Sequence, residues 1–398
     1  MLREFEQSDM LKRLPEQFFA KLVKKAQEKV KQGHDVINLG QGNPDVPTPE
    51  NIVETMQAAA GKPINHKYTP FRGFPYLKKA AADFYKREYN LFIDPETEVA
   101  VLFGAKSGLV EMSQCLLNPG DLALMPDPGY PDYLSGTAMA DAEAAFMPLL
   151  AQNEFLPDYE QLTADELERA KLMILNYPNN PTAATANREF FDKTAALAKK
   201  HDICVVHDFA YATIGFEDEK PVSFLQSDGA KDIGIEIYTM SKAYSMAGWR
   251  IAFAVGNPSV IESLELIQDH LYVSLFGAVQ EAAAEALLGD QTGVEEIVDT
   301  YTSRRQRFVA ALDRIGWKAE APKGTFFAWL PVPEGYSSEE FADLLLEKAH
   351  VVVAPGNGFG SKGEGYVRVG LLDNEERLEE AVDRIGRLGI FHKESSQA

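Results

Sequence analysis

The chain has 398 residues, 45% of them hydrophobic and 25% charged, which suits two domains of ordinary size or one large domain with a smaller cap. Its 39 basic and 60 acidic residues give a net charge of −21. That balance argues against nucleic acid or an anionic membrane surface as partner and leaves anionic ligands to a few local arginines and backbone amides. Cys115 and Cys204 lie in apolar segments and read as buried reduced thiols. The acidic start lacks a signal-peptide core and no apolar run is long enough for a bilayer, so a cytoplasmic protein is expected.

Residues 1–14 carry no strong periodicity and read as an arm. Phe18, Phe19, Leu22, Val23, Ala26 and Val30 then fall at helical spacing, with Gly33 as the stop. A short strand from Val36 breaks into the Gly/Pro turn Gly40–Asp45, and a helix follows over 50–60. The segment His66 to Gly73, which includes Tyr68 and Arg72, leads to a helix over 75–89. The pattern then becomes strand, turn and helix in repetition. Val99–Phe103 is strand-like, and Gly104-Ala105-Lys106-Ser107 opens a helix through Leu116. Small residues at such a turn leave N–H groups free at a positive helix end, a place for a phosphate, although many such junctions bind nothing. The next strand, Leu122–Met125, ends in Pro126-Asp127-Pro128-Gly129-Tyr130; Tyr130 is either a platform for a flat ligand or a core tyrosine under a turn.

A strand at Lys171–Leu175 runs into Asn176-Tyr177-Pro178-Asn179-Asn180-Pro181-Thr182, where two prolines impose an extended turn. After a helix over 187–200, the apolar run from Ile203 ends in His207-Asp208-Phe209-Ala210-Tyr211. An aspartate leaving so apolar a strand must be paired, unless it serves as a helix N-cap. Ile233–Ile237 is another buried strand, and beyond it lies Tyr238 to Arg250 with Lys242 at its centre. A lysine at the end of a buried strand has its pKa depressed and offers a free amine to a carbonyl, whereas an ordinary lysine is a surface residue. Thr239, Ser241 and Arg250 add hydroxyls and a planar donor fork suited to a phosphate. Asn180, Asp208 and Lys242 each lie just past the carboxyl end of a short apolar strand, the edge where open α/β sheets gather ligands.

Ile251–Val255 completes the strands of this region; helices follow over 258–269, 276–289 and 293–315. Phe326–Leu330 and Val351–Val353 read as strands of a second domain, separated from Arg368 by the Gly-rich loop Ala354–Gly360. Arg368 sits in an alternating run where a solvent-facing arginine is one reading. Residues 392–398 are expected to fray.

The order S-K-x-x-x-x-x-G-W-R around Lys242, the N-P-T segment at Asn180 and the P-G-x-x-F-G loop at Pro355 together resemble the class I aminotransferases, fold type I of the pyridoxal phosphate enzymes. The likeness spans Asn38 to Arg384. It implies an α/β fold in which a large domain built on a mostly parallel sheet (46–285) carries the cofactor. A smaller α+β domain (286–398) is joined by the N-terminal arm and helix (1–45). It further implies that Lys242 binds pyridoxal 5′-phosphate and acts as base, and that Ala105, Lys106, Thr239, Ser241 and Arg250 hold the phosphate. Tyr130 would stack on the ring, Asp208 would pair with its nitrogen, and Asn180 and Tyr211 would face its 3-oxygen. Arg368 would clamp the substrate α-carboxylate near Gly42 and Asn180, and no metal is implied.

Tyr68 would reach the neighbour's phosphate in a homodimer with shared active sites. Arg72 would either hold a second carboxylate or brace the dimer. One departure is Ala183, where the family carries glycine, and a slightly different turn is expected there. The substrates implied are amino acids and 2-oxo acids. Similarity around Asn38–Glu50, Lys171–Thr182 and Phe224–Thr239 points to 4-methylsulfanyl-2-oxobutanoate; the alternatives are an aspartate- or alanine-type aminotransferase, a carbon–sulfur lyase, or a cofactor-bearing regulator without catalysis.

Overall fold

In the computed structural model, residues 2–16, 18–216 and 220–391 are described; the tail 392–398 lies outside them. Seven strands form the central sheet: β1 (Val99–Leu102), β2 (Leu122–Asp127), β3 (Glu143–Pro148), β4 (Ala170–Asn176), β5 (Cys204–Asp208), β6 (Gly234–Thr239) and β7 (Ala252–Gly256). Their order is β1-β7-β6-β5-β4-β2-β3. Strands β2 to β6 run parallel, and β7 is antiparallel to both neighbours.

Near-continuous apolar sequence is what such strands require, because helices cover both faces. Alternation then sends Leu124, Met173 and Val205 into one hydrophobic cluster, and Ala123, Leu172 and Val206 into the other. The edge strand β3 and the short helix Tyr133–Met139 have no counterpart in the sequence expectations. β3 is only partly buried, so its residues carry no strong apolar signal.

The antiparallel course of β7 decides where the chemistry gathers. Thr239 at the end of β6 pairs with Ala252 at the start of β7. The turn between them therefore returns to the edge already holding the carboxyl ends of β4 and β5.

A second core forms around the antiparallel sheet β9-β10-β8, built from β8 (Phe327–Pro331), β9 (Ala354–Pro355) and β10 (Tyr366–Gly370). Helix α1 (Phe18–Lys31) packs Leu22 and Ala26 beside Leu346 and Val352. Helix α2 (Ala105–Leu116) follows β1, and α3 (Thr292–Ile315) is a helix of 24 residues. Ile37 and Leu39 share the second core with Phe308 and Leu312 of α3, and Ile37–Asn38 pairs in parallel with Val351–Val352. The start of the chain is thus packed into its C-terminal part.

Candidate active site

A cavity of about 380 Å³ opens at the carboxyl edge of the central sheet. Its lining includes Gly42, Ala105, Lys106, Tyr130, Asn180, Asp208, Tyr211, Thr239, Ser241, Lys242, Arg250 and Arg368. These positions lie up to 326 residues apart in sequence (Gly42 to Arg368).

Thr239 caps the short helical turn Met240–Ala243, its Oγ1 accepting from the Ser241 N–H and donating to Ser241 Oγ at 2.9 Å. The turn directs Lys242 inward, where Nζ donates to the Gly42 carbonyl at 2.9 Å. Burial is the main cause that brings the Lys242 amine down to about 8, helped by the Arg368 cation and opposed by Asp208. Lys242 is therefore not the surface lysine of the alternative reading.

At one end of the cavity, Gly104 (φ +89°) precedes α2, whose first-turn N–H groups have no helical partners. A Cβ at Gly104 would collide with the Arg250 guanidinium, so glycine lets the arginine approach the helix terminus. Arg250 is exposed and its own carbonyl neighbour is Ala247, to which Nη1 donates at 2.9 Å. Lys106 pairs its Nζ with Asp132 at 2.8 Å, and Ala105 and Lys106 in the first turn of α2 line the cavity.

In the middle lies Asp208, at the end of β5 and followed by a turn instead of a helix, which removes the N-cap alternative. Oδ2 accepts from the Tyr133 hydroxyl at 2.8 Å, whereas Oδ1 is buried without a hydrogen-bond partner. Burial raises the carboxyl pKa, and the Tyr133 hydrogen bond is the largest opposing effect. Asn176 at the end of β4 donates Nδ2 to the Asp208 carbonyl and accepts from the Asn180 N–H at 2.7 Å.

At the far end Arg368 is 2% exposed, which excludes the solvent-facing reading. Its guanidinium lies 4.0 Å from the Phe327 ring centroid, 4.7 Å from Phe359 and 5.3 Å from Phe19. Nη1 donates to Asn180 Oδ1 at 2.7 Å and Nη2 to the Gly40 carbonyl at 3.1 Å, while Nε is buried and unpartnered. Burial pushes Arg368 down to about 10, so it stays a cation at neutral pH. Because a guanidinium only donates, Asn180 turns its oxygen to Arg368 and keeps its NH₂ free as a donor.

Two candidates stand apart from the cavity. Tyr68 is 84% exposed and lines a separate surface pocket with Lys67, Leu275 and Phe276. Arg72 is held by Glu265 at 2.9 Å and does not line the cavity, so in this protomer it offers no clamp for a second carboxylate. The sequence reading passed over Tyr133 and Phe19. Tyr133 finds Asp208 across 75 residues, a partnership no local pattern signals. Phe19 is a regular member of a helical apolar stripe, and nothing in that stripe distinguishes the residue lining a cavity.

Ala183 keeps φ at +60°, the left-handed region that glycine enters freely, so the backbone takes a glycine-type turn in spite of its Cβ. Its carbonyl accepts from Lys323 and Gly324 N–H at 3.2 and 3.0 Å.

A desolvated amine beside an anion cradle, an unpartnered carboxylate oxygen and an arginine with a free Nε make a site suited to a ligand with phosphate, carbonyl and basic ring atom. Residues 34–385 match the family described as aminotransferase class I and II, and the chain belongs to that family. It is 65% identical to the L-glutamine–4-(methylsulfanyl)-2-oxobutanoate aminotransferase of Bacillus subtilis (strain 168) over 98% of each chain. Transaminase BacF of the same organism is 51% identical over 97% of each chain. Its apo structure superposes with a TM-score of 0.94, at 50% identity, covering 98% of this chain and 100% of that one. The LL-diaminopimelate aminotransferase of Moorella thermoacetica is 44% identical over 96% of this chain and 98% of its own.

The protein is a pyridoxal-phosphate-dependent transaminase of fold type I, moving amino groups between amino acids and 2-oxo acids. The residues present fit that cofactor, as the orphaned Asp208 Oδ1 and the glycine-lined cradle at Arg250 indicate. Among the described residues no helix is long and apolar enough to cross a membrane.

Proposed function

We propose that this transaminase forms methionine from 4-methylsulfanyl-2-oxobutanoate, with glutamine as amino donor, in a ping-pong cycle. The observation carrying the proposal is the 65% identity, end to end, with the Bacillus subtilis enzyme named for that pair. The cavity is compatible with it. Its cations are Lys106, Lys242, Arg250 and Arg368, and each has a task at the cofactor or the α-carboxylate, or is paired. None is left for a side-chain carboxylate, while Phe19 and Phe327 offer apolar walls suited to a thioether.

Pyridoxal phosphate supplies an aldehyde that takes the amino group and a ring that withdraws electrons from the substrate Cα–H bond. Lys242 would hold the aldehyde, and its amine is the group that would move a proton away from the substrate α-carbon. Its depressed pKa keeps a share of free amine at neutral pH. Asp208 Oδ1 would keep the ring nitrogen protonated, and Tyr130 would lie against the ring. Asn180 and Tyr211 would donate to the 3-oxygen. Arg250, Thr239, Ser241 and the α2 terminus at Ala105 and Lys106 would hold the phosphate. Arg368 takes the α-carboxylate through its unpartnered Nε, close to Gly42.

The assembly proposed is a cytoplasmic homodimer with shared sites. Tyr68 and Phe71 are 84% and 62% exposed, and Ile64, Leu271, Val273 and Phe276 are also exposed, a set of apolar side chains suited to a second copy. The proposed domains are 46–285 for the cofactor and 286–398 with the arm 1–45, in keeping with the core shared by Ile37, Leu39 and Phe308.

The deciding experiment is a specificity panel on purified holoenzyme. Methionine formation from glutamine and 4-methylsulfanyl-2-oxobutanoate should give the highest kcat/KM. Higher values with aspartate, alanine or LL-diaminopimelate would reject the assignment, and pyruvate release from cysteine-type thioethers would favour a lyase. Mixed Tyr68→Phe and Lys242→Ala subunits should show the shared site, because only one of the two sites in a heterodimer collects both substitutions.

A further inference from the structure

The two oxygens of Asp208 have different fates. Oδ1 is buried and unpartnered, and Oδ2 receives the Tyr133 hydroxyl at 2.8 Å. No other side chain among the described residues donates to either. His207, the neighbour in sequence, points to the opposite face of the sheet, where it meets Glu236 at 2.8 Å and the Tyr177 carbonyl at 3.0 Å. Lys242 is turned to Gly42. Tyr133 is 2% exposed, and its ring meets that of Tyr130 edge to face at 5.6 Å between centroids. Burial, with the Asp208 charge adding to it, holds the Tyr133 hydroxyl pKa well above its ordinary value, so the group is a permanent donor.

We propose that Tyr133 is a positioning residue that sets how firmly the cofactor ring nitrogen keeps its proton, acting through Asp208 Oδ2. The inference rests on the assignment of Asp208 to that nitrogen. A donor on one carboxylate oxygen draws charge from the other and lowers its basicity. A proton shared between Oδ1 and the ring nitrogen then stays on nitrogen, where it strengthens electron withdrawal. With the donor gone, the proton moves toward the carboxylate. Asn176 Nδ2 donates to the Asp208 backbone carbonyl and so fixes the strand exit from which the carboxylate projects.

Tyr133→Phe removes the hydroxyl and keeps the ring against Tyr130. With cofactor labelled at the ring nitrogen, the bound ¹⁵N resonance should move away from the protonated position. The half-reaction rate with an amino donor should fall about 10- to 100-fold, while donor affinity and cofactor affinity change by less than about threefold. Site-specific 3-fluorotyrosine at position 133, a stronger donor of nearly the same shape, should move the resonance the opposite way and decides the matter if the phenylalanine variant does not fold. An unchanged resonance in both variants would overturn the role of Tyr133 and leave Asp208 in place. A wild-type resonance that is unprotonated and insensitive to Asp208→Asn would overturn the Asp208 assignment and this inference together.

Discussion

Two arginines face opposite ends of one cavity, and they are built in opposite ways. Arg250 is exposed, follows the short 3-10 turn Ala247–Trp249 and shares its end of the cavity with hydroxyls and the N-terminal turn of α2. Arg368 is 2% exposed, ringed by three phenylalanines, and keeps Nε without a partner. Many weak donors in partial contact with water suit an anion that stays bound. One desolvated fork suits an anion that comes and goes in every half-cycle, because the arriving carboxylate offsets a burial cost the free enzyme already carries.

The largest effect should come from Lys242, which stands between the two ends. Lys242→Ala should lower turnover by at least about 10³-fold with the fold intact by circular dichroism, since one amine serves as attachment point and base. In the cofactor-free wild type, the rate of aldehyde attachment should rise with pH and level off above about 8, as the amine loses its proton. A midpoint near the ordinary lysine value would show that burial does not act as described.

Arg368→Gln should reduce kcat/KM for every amino donor by about 10²-fold, equivalent to ~2–3 kcal/mol for a charged hydrogen-bond pair, with cofactor affinity nearly unchanged. Arg250→Gln should do the reverse, weakening cofactor binding by about tenfold with a salt-sensitive remainder and sparing donor KM. Equal effects of both variants on both constants would dissolve the distinction between the two ends. The smallest effect is at Ala183. Replacing it by glycine should raise stability by ~0.5–1 kcal/mol in urea unfolding, because the left-handed backbone no longer carries a Cβ.

The parallel strands were legible because burial on both faces leaves apolar runs that stop abruptly at Asn176, Asp208 and Thr239. Polar residues at those stops mark the ligand edge, so the middle of the site could be read from sequence. β3 and the helix at Tyr133 could not, the first because an edge strand needs no apolar run and the second because a helix of 7 residues gives too little periodicity. Arg368 was ambiguous for a related reason. Alternation in β10 says which residues share a face, but only the packing of Phe19, Phe327 and Phe359 turns that face into an interior. The Tyr133–Asp208 bond is beyond any local reading, since it joins a short helix to the end of a strand 75 residues further on.

The β6-turn-β7 hairpin works as a caliper. Lys242 and Arg250 are its jaws, and the pairing of Thr239 with Ala252 locks their span independently of the rest of the sheet. Any length change in the turn at 243–249 would reset the aldehyde end and the phosphate end in one stroke, whereas loops elsewhere around the cavity can lengthen and move a single wall. Insertions should therefore be tolerated around the substrate side chain and refused here, which lets such a scaffold change its substrates while its gauge for the cofactor stays fixed.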